Sequence, residues 1–402
     1  MNIPEEYRFI IQLGRALHKY GVPSYHIQEY LKEVAEAQHI RGDFMDLPTW
    51  VNYVFYEEDD QQTYNYVRNT DPGVINLGAL SRSVEITNHF LARNIDVKQA
   101  RSSLKVLEEQ GMSYPKWLEI LSYGTSAATF ILMMQSNWLS VCFAFLVGLA
   151  VGFCAYFAQG SAYLNSVLES LVAFVATLLT GVAFCFFPQI NVTLNVIAAI
   201  IVFVPGLAIT TAIEEITSKS LVSGTAKLFD AMLSLFKQFF GVMLGLALLF
   251  SFIEMPSYTP DVSLPLWSSW LAIPLFLLSL MPVFNVRARD VWGCVVIGFI
   301  SFALMASFES AGLMMSTFLG AVAVVIVAKL LHQWTKAPKI VYSTLGIIML
   351  VPGSKAFIGL TSAFEINSTV DSASLIGEQV AYVLMGIIGG LIFSGVFKKT
   401  KA

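Results

Sequence analysis

The sequence predicts a polytopic α-helical membrane protein: ten transmembrane helices in a 5+5 inverted repeat with Pro-Gly-broken helices, behind a small N-terminal α/β soluble domain. Three observations predict it. Charge is segregated along the chain, Lys and Arg occupy alternate gaps between apolar blocks, and Val-Pro-Gly occurs twice at matching places.

The chain has 402 residues, of which 56% are hydrophobic and 13% charged, too apolar for one soluble domain. Residues 1–116 hold 28 of the 52 Asp, Glu, Lys and Arg residues, and the other 286 share 24. The expected division is therefore a soluble unit (1–116) and two membrane units (117–254 and 255–402). Met1 to Phe9 has no apolar run, so no secretory signal is expected there. The net charge of −4 argues against a nucleic-acid partner. Cys142, Cys154, Cys185 and Cys294 lie in apolar blocks without metal-like spacing, and read as packing residues.

In the soluble unit, 5–20 and 24–39 read as helices separated by Gly21-Val22-Pro23, with Ser24 as an N-cap. Residues 44–56 and 62–69 are rich in aromatic and β-branched residues, and Glu57–Asp60 between them reads as a hairpin turn. Helical periodicity returns over 76–93 and 96–110. His18, His26, His39 and His89 show no metal-ligand spacing, and no phosphate loop or nucleophile elbow is visible. No cofactor and no enzymatic activity are expected, and an ion gradient is the default energy source.

Ten blocks can cross ~30 Å of hydrocarbon: 118–135, 138–158, 167–187, 191–212, 234–253, 267–284, 291–308, 311–331, 339–361 and 376–397. With the N-terminus in the cytoplasm, the outer connections carry Glu254, Asp261, Glu309, Glu365 and Asp371 and no Lys or Arg. The cytoplasmic connections and tail take eleven of the twelve Lys and Arg residues beyond position 117, as positive-inside placement requires. The expected location is multi-pass in the inner (plasma) membrane, with both termini cytoplasmic. Trp117, Trp138, Trp267, Trp270 and Trp334 fall near span ends, where an aromatic belt belongs.

Val204-Pro205-Gly206 lies in the fourth span of the first five, and Val351-Pro352-Gly353 in the fourth of the second five. Gly241 and Gly245 in the fifth span correspond to Gly386 and Gly390 in the tenth. Five is odd, so the second unit is inverted relative to the first, a plan frequent in secondary transporters. At ~1.5 Å per residue both breaks lie about 20 Å from one end of their spans, near the membrane middle. A half-helix starting there points free N–H groups and a positive dipole end inward, which suits a carboxylate. The alternative is that Pro-Gly merely kinks two spans for packing.

The substrate-binding candidates are Pro205, Gly206, Thr210, Thr211, Pro352, Gly353, Ser354 and Lys355. Lys355 is the exceptional cation, two residues after Gly353 at mid-membrane, where it either meets an anionic group or snorkels to water. The coupling candidates are Glu214, Glu215 and Asp230. Paired carboxylates at 214–215 suit proton carriage; the alternative is an interfacial site with a Glu215–Lys219 pair. Asp230 has Lys227 one turn earlier, which suits a local salt bridge. Glu169 reads as interfacial. Gly148–Gly152 and Gly241–Gly245 read as close helix packing.

The run AIEEITSKSLVSGTAKLFDAM (212–232) after Pro205-Gly206 resembles the signature of the threonine/serine exporter family. That pattern is a Pro-Gly, an Ala-Ile-x-acid, a Ser-Gly, a cation and an acidic residue. Here these are Ala212-Ile213-x-Glu215, Ser223-Gly224, Lys227 and Asp230, with Glu215 for the usual Asp and Lys227 for the usual Arg. GRALHKYGVPSYHIQEYLKEVA (14–35) is similar to the opening of the family's cytoplasmic domain, with His26 and Gln28 where Arg and Glu are frequent. The resemblance implies a secondary active exporter of small hydroxy amino acids (threonine/serine), an antiporter driven by the proton-motive force. The partners it implies are an amino acid or carboxylate substrate, protons and the lipid bilayer; a homo-oligomer is compatible with it. The alternatives are a dicarboxylate (succinate-type) exporter, a membrane-anchored hydrolase acting through the N-terminal domain, and a passive channel.

Overall fold

A computed structural model describes residues 4–56, 63–111, 113–252, 256–259, 261–351 and 370–396. The Glu57–Asp60 turn and Pro352, Gly353, Ser354 and Lys355 lie outside the described residues.

The N-terminal part contains α1 (Glu5–Lys19), α2 (Ser24–Ala37), β1 (Arg41–Leu47), β2 (Trp50–Tyr56), β3 (Thr63–Asn69), α3 (Leu77–Leu91) and α4 (Val97–Gln110). The strands form an antiparallel sheet in the order β1-β2-β3. Alternation on β2 buries Val51, Tyr53 and Phe55 against α1, and Tyr7 stacks on Phe55 at 4.1 Å. Residues 44–56 are thus two strands. Leu47 pairs with Trp50 across a two-residue turn at Pro48-Thr49, where proline has no amide to give a ladder. The inward face of β1 carries Phe44 and, one pleat on, the fully enclosed Asp46.

The helical bundle contains α5 (Lys116–Met133), α6 (Trp138–Ala158), α7 (Ala162–Phe186), α8 (Val192–Ile200), α9 (Gly206–Thr217), α10 (Leu221–Phe252) and α11 (Leu266–Val283). It continues with α12 (Val291–Ser307), α13 (Leu313–Thr335), α14 (Lys339–Ile348) and α15 (Val370–Val396). Among the described residues six helices are long and apolar enough to cross a membrane, which makes the chain a polytopic helical membrane protein. The fifth expected span, 234–253, belongs to a longer helix: α10 begins at Leu221 and runs for 32 residues.

Small residues set the closest helix crossings. A Cβ at Gly148 would come within 2.6 Å of the Tyr123 carbonyl oxygen, bringing α6 onto α5. Gly241 brings α10 onto α7 at the Ser170 carbonyl, and Gly386 and Gly390 bring α15 onto α13 at the Met314 and Phe318 carbonyls. Helix α5 also packs on α11.

Two helices stop short inside the bundle. Helix α8 ends at Ile200, and α9 begins at Gly206 after an irregular stretch through Pro205. Helix α14 ends at Ile348, four residues before Pro352. Backbone freed at the first break has a partner, since Gln238 Nε2 on α10 donates to the Phe203 carbonyl at 2.7 Å. Such a donor is what irregular backbone inside a membrane-spanning bundle requires.

The N-terminal part docks on the bundle at two places. At one, the start of α3 meets the turn after α11: Leu77 N donates to Phe284 O (2.9 Å), and Tyr114 OH donates to Val286 O (2.7 Å). Glu85 there pairs with Arg287 at 2.8 Å and Arg289 at 3.6 Å. Burial alone raises the Glu85 carboxyl, but hydrogen bonds from Arg287 and Arg82 outweigh it and lower the pKa to about 2. The other docking place is the site described next.

Candidate functional site

Glu215 is fully buried on α9. Its Oε1 accepts from Lys227 Nζ on α10 and from the backbone N–H of Ser24 (2.9 Å), while Oε2 has no partner among the described residues. Lys227 is partly exposed, so the pair joins a buried anion to a cation that reaches solvent. The short α9–α10 turn makes this geometry. A Cβ at Gly224 would lie 2.7 Å from the Ala212 carbonyl, so only glycine lets α10 cross close enough for Lys227 to reach Glu215 on α9.

Ser24 is the hinge of a larger buried network. Its hydroxyl donates to Asp46 Oδ2 at 2.7 Å. With that hydrogen used, the 2.7 Å contact to Ser223 Oγ is one that Ser223 donates. Asp46 Oδ1 faces His18 Nδ1 at 2.7 Å, and His18 Nε2 lies 3.2 Å from the Asp71 carbonyl. Each ring nitrogen thus faces an oxygen, which fixes the orientation of the imidazole. Beside this chain, Tyr25 OH donates to Glu214 Oε1 at 2.7 Å. Burial, then the charge of Glu214, pushes the Tyr25 phenol up, so it stays a donor.

Two hollows flank the site. A central cavity of about 370 Å³ is lined by Ile201–Ala208 at the first break and by Ile348–Val351 at the second, with Phe130, Phe276 and Phe302 among its walls. A cleft of about 590 Å³ lies between α2–α3 and the ends of α9, α13 and α14, and includes Tyr25, Glu29, Thr211, Glu214, His332 and Lys339.

The sequence candidates distribute as follows. Pro205 and Gly206 line the central cavity. Thr210 is buried with its hydroxyl on Gly206 O (3.1 Å), and Thr211 lines the cleft while bonding Leu207 O and Ala208 O. Both thus spend their hydroxyls on their own helix. Glu214 and Glu215 sit at the docking surface. Asp230 is exposed on α10, and the Lys227 expected beside it pairs with Glu215 instead, because Glu215 faces α10 across the glycine crossing. For the same reason Glu215 does not pair with Lys219 among the described contacts. Glu169 accepts from Ser234 (3.1 Å) and Lys237 (3.0 Å), joining α7 to α10.

Ser24 is no N-cap. Pro23 occupies that position and makes no side-chain cap, leaving the Ser24 hydroxyl for Asp46. Sequence reasoning missed Ser24, Asp46, His18 and Gln238. A lone acidic residue at an inward strand position was the one available signal, for Asp46.

Comparison with known proteins agrees with these motifs. The threonine/serine exporter family model, ThrE, matches residues 8–249, and a second threonine/serine exporter model, ThrE_2, matches 270–397. An uncharacterized protein of Schizosaccharomyces pombe is 27% identical over 304 residues, covering 71% of this chain and 39% of that protein. Pheromone-regulated membrane protein 10 of Saccharomyces cerevisiae is 24% identical, covering 69% of this chain and 37% of its own length. That of Eremothecium gossypii is 23% identical, covering 93% and 51% respectively. The chain therefore spans about half or less of these relatives. No solved structure matches. With its Glu215–Lys227 pair, Gly224 crossing and broken helix in the signature region, and family models over most of its length, this chain belongs to the threonine/serine exporter family of membrane proteins.

Proposed function

We propose that this chain is a proton-driven secondary exporter of threonine and serine, built as ten spans in a 5+5 inverted repeat with residues 1–116 on the cytoplasmic side of the inner membrane. One observation carries the reading: residues at both helix breaks, Ile201–Ala208 and Ile348–Val351, line one central cavity. The packing plan supports the repeat, since α10 lies on α7 as α15 lies on α13, each through paired glycines. The start of α9 offers a substrate carboxylate the positive end of a helix. Glu215, on the same helix, carries the coupling proton: protonated from outside once substrate has left, it gives the proton up to the cytoplasm as the next substrate is admitted. Lys355, two residues beyond the second break, is proposed as a further contact of the substrate carboxylate.

The geometry of the Ser24, Asp46 and His18 cluster, among the described residues, does not favour the hydrolase alternative. Ser24 is fully buried, and Asp46 stands between it and His18. A nucleophile needs its base within hydrogen-bond reach and an approach for substrate.

The test is counterflow in proteoliposomes with labelled threonine against labelled succinate, with and without a protonophore. Protonophore-sensitive threonine export that is lost in Glu215→Gln is expected. Succinate preference would replace the substrate assignment, and protonophore-insensitive downhill flow would make the protein a channel.

A further inference from the structure

We propose that the N-terminal unit is the gate of the central cavity, with Ile75 as its plug and the Ser24–Glu215 contact as its latch; this rests on the transport reading above. Ile75, together with Leu207 of α9, lines both the central cavity and the cleft beside the N-terminal unit, so its side chain stands at their junction. A small solute passing from one hollow to the other there must displace it.

The plug belongs to a strap, residues 71–76, seated on the turn between α1 and α2. Val74 N donates to Lys19 O at 3.1 Å, and Asn76 N donates to Tyr20 O at 3.4 Å. Gly73 fits against the His18 carbonyl, where a side chain would overlap it. Gly21 has φ +77, which favours glycine, and a Cβ on it would sit tightly, 3.1 Å from Ile75 Cα. Three residues after Gly21, Ser24 holds Glu215. Plug and latch are therefore both held by the α1–α2 turn.

A second path links them. The buried chain runs from Glu215 through Ser24, Asp46 and His18 to the Asp71 carbonyl, the first residue of the strap. The charge on Glu215 sets the latch, because a hydrogen bond to a carboxylate is roughly twice as strong as one to a neutral acid. The charged and titratable groups around it are Lys227 on α10, the adjacent Glu214 with Tyr25 on α2, and Asp46 and His18 behind Ser24. Protonating Glu215 leaves Lys227 without its counter-charge and weakens the hold on Ser24. The coupling proton thus loosens the strap as substrate is admitted.

The test places a cysteine at Ala208, which lines the central cavity, in a background lacking the four native cysteines. A membrane-impermeant thiol reagent is added to the face carrying the N-terminal unit. Labelling is expected to be slow with Ile75 and Ser24 intact, about tenfold faster in Ile75→Ala and in Ser24→Pro, which removes the amide that holds Glu215, and faster by a smaller factor in Glu215→Gln, which keeps a weaker acceptor for that amide, for a gate shifted toward open. Ile75→Val, the milder change, falls between. Equal rates in all folded variants, or fast labelling with the native residues, overturn the gate. No transported solute is involved: a gate that responds while threonine transport fails sinks the transport reading alone.

Discussion

The Lys227→Met variant probes the signature region most directly. It leaves Glu215, which is fully buried, with the Ser24 amide as its remaining donor among the described residues. Breaking a buried ion pair by removing one partner costs roughly 3–5 kcal/mol, because the other charge is left uncompensated. Lys227 is 32% exposed, so it gives up less solvation in pairing than a buried cation, and the lower end, about 3 kcal/mol, is expected. That corresponds to a fall in melting temperature on the order of 5 °C for a chain of this size.

Glu215→Gln behaves differently. The amide keeps an acceptor for Ser24 N–H, and Lys227 turns to water, so about 1 kcal/mol is lost. The informative variant is the double one. With the carboxylate neutralised, removing Lys227 no longer strands a charge, and Lys227→Met/Glu215→Gln should be about 2 kcal/mol more stable than Lys227→Met. The assay is thermal unfolding of the full chain in detergent, followed by tryptophan emission. If Lys227→Met melts with the wild type, or the double variant melts no higher than Lys227→Met, the two groups do not form the buried pair described.

Two further outcomes are expected. Glu85 is held at about 2 in the folded chain, below its ordinary value of 4.5, by hydrogen bonds from Arg287 across the docking surface and from Arg82 on its own helix. Its contribution to stability is fully present above about pH 4.5 and lost as pH falls toward 2, and Glu85→Gln should flatten the acid limb of a stability-versus-pH curve between those values; an unchanged limb counts against the pairing. Gly241→Leu and Gly386→Leu should each destabilise by about 1–3 kcal/mol, since the added side chain meets a carbonyl of the facing helix and α10 or α15 must move away. Normal melting of either would show that the crossing has room.

Much of the fold was legible because helix periodicity and apolar block length are local properties. Trp138–Ala158 was delimited to the residue, and α5, α11, α12 and α13 to within a few residues. The start of α10 was not, because Leu221–Leu233 mixes Lys227 and Asp230 with apolar residues, and hydropathy does not distinguish a mixed-polarity stretch of helix from a loop. Strands β1 and β2 merged for a related reason. Their composition is continuous, and Pro48 alone marks the turn.

In the site, chemistry was legible and partners were not. Glu214, Glu215 and Lys227 stood out as charges within apolar sequence. Yet local spacing paired Glu215 with Lys219 and Lys227 with Asp230, whereas the Gly224 crossing joins Glu215 to Lys227. Ser24 offered no signal, since serine after proline at a helix start reads as a cap.

The sequence by itself determined that the chain is a multi-pass membrane protein, where its first Pro-Gly break falls, and which charges stand in costly places. Each follows from residue type and near neighbours: transfer energy of side chains, the missing proline amide, the rise of a helix. Tertiary structure alone decided that residues at both breaks face one cavity, and that Ser24 closes on Glu215 across 191 positions of sequence. Such contacts depend on how helices cross, and a crossing is set by which carbonyl lies opposite a glycine on another segment, information that no local window contains.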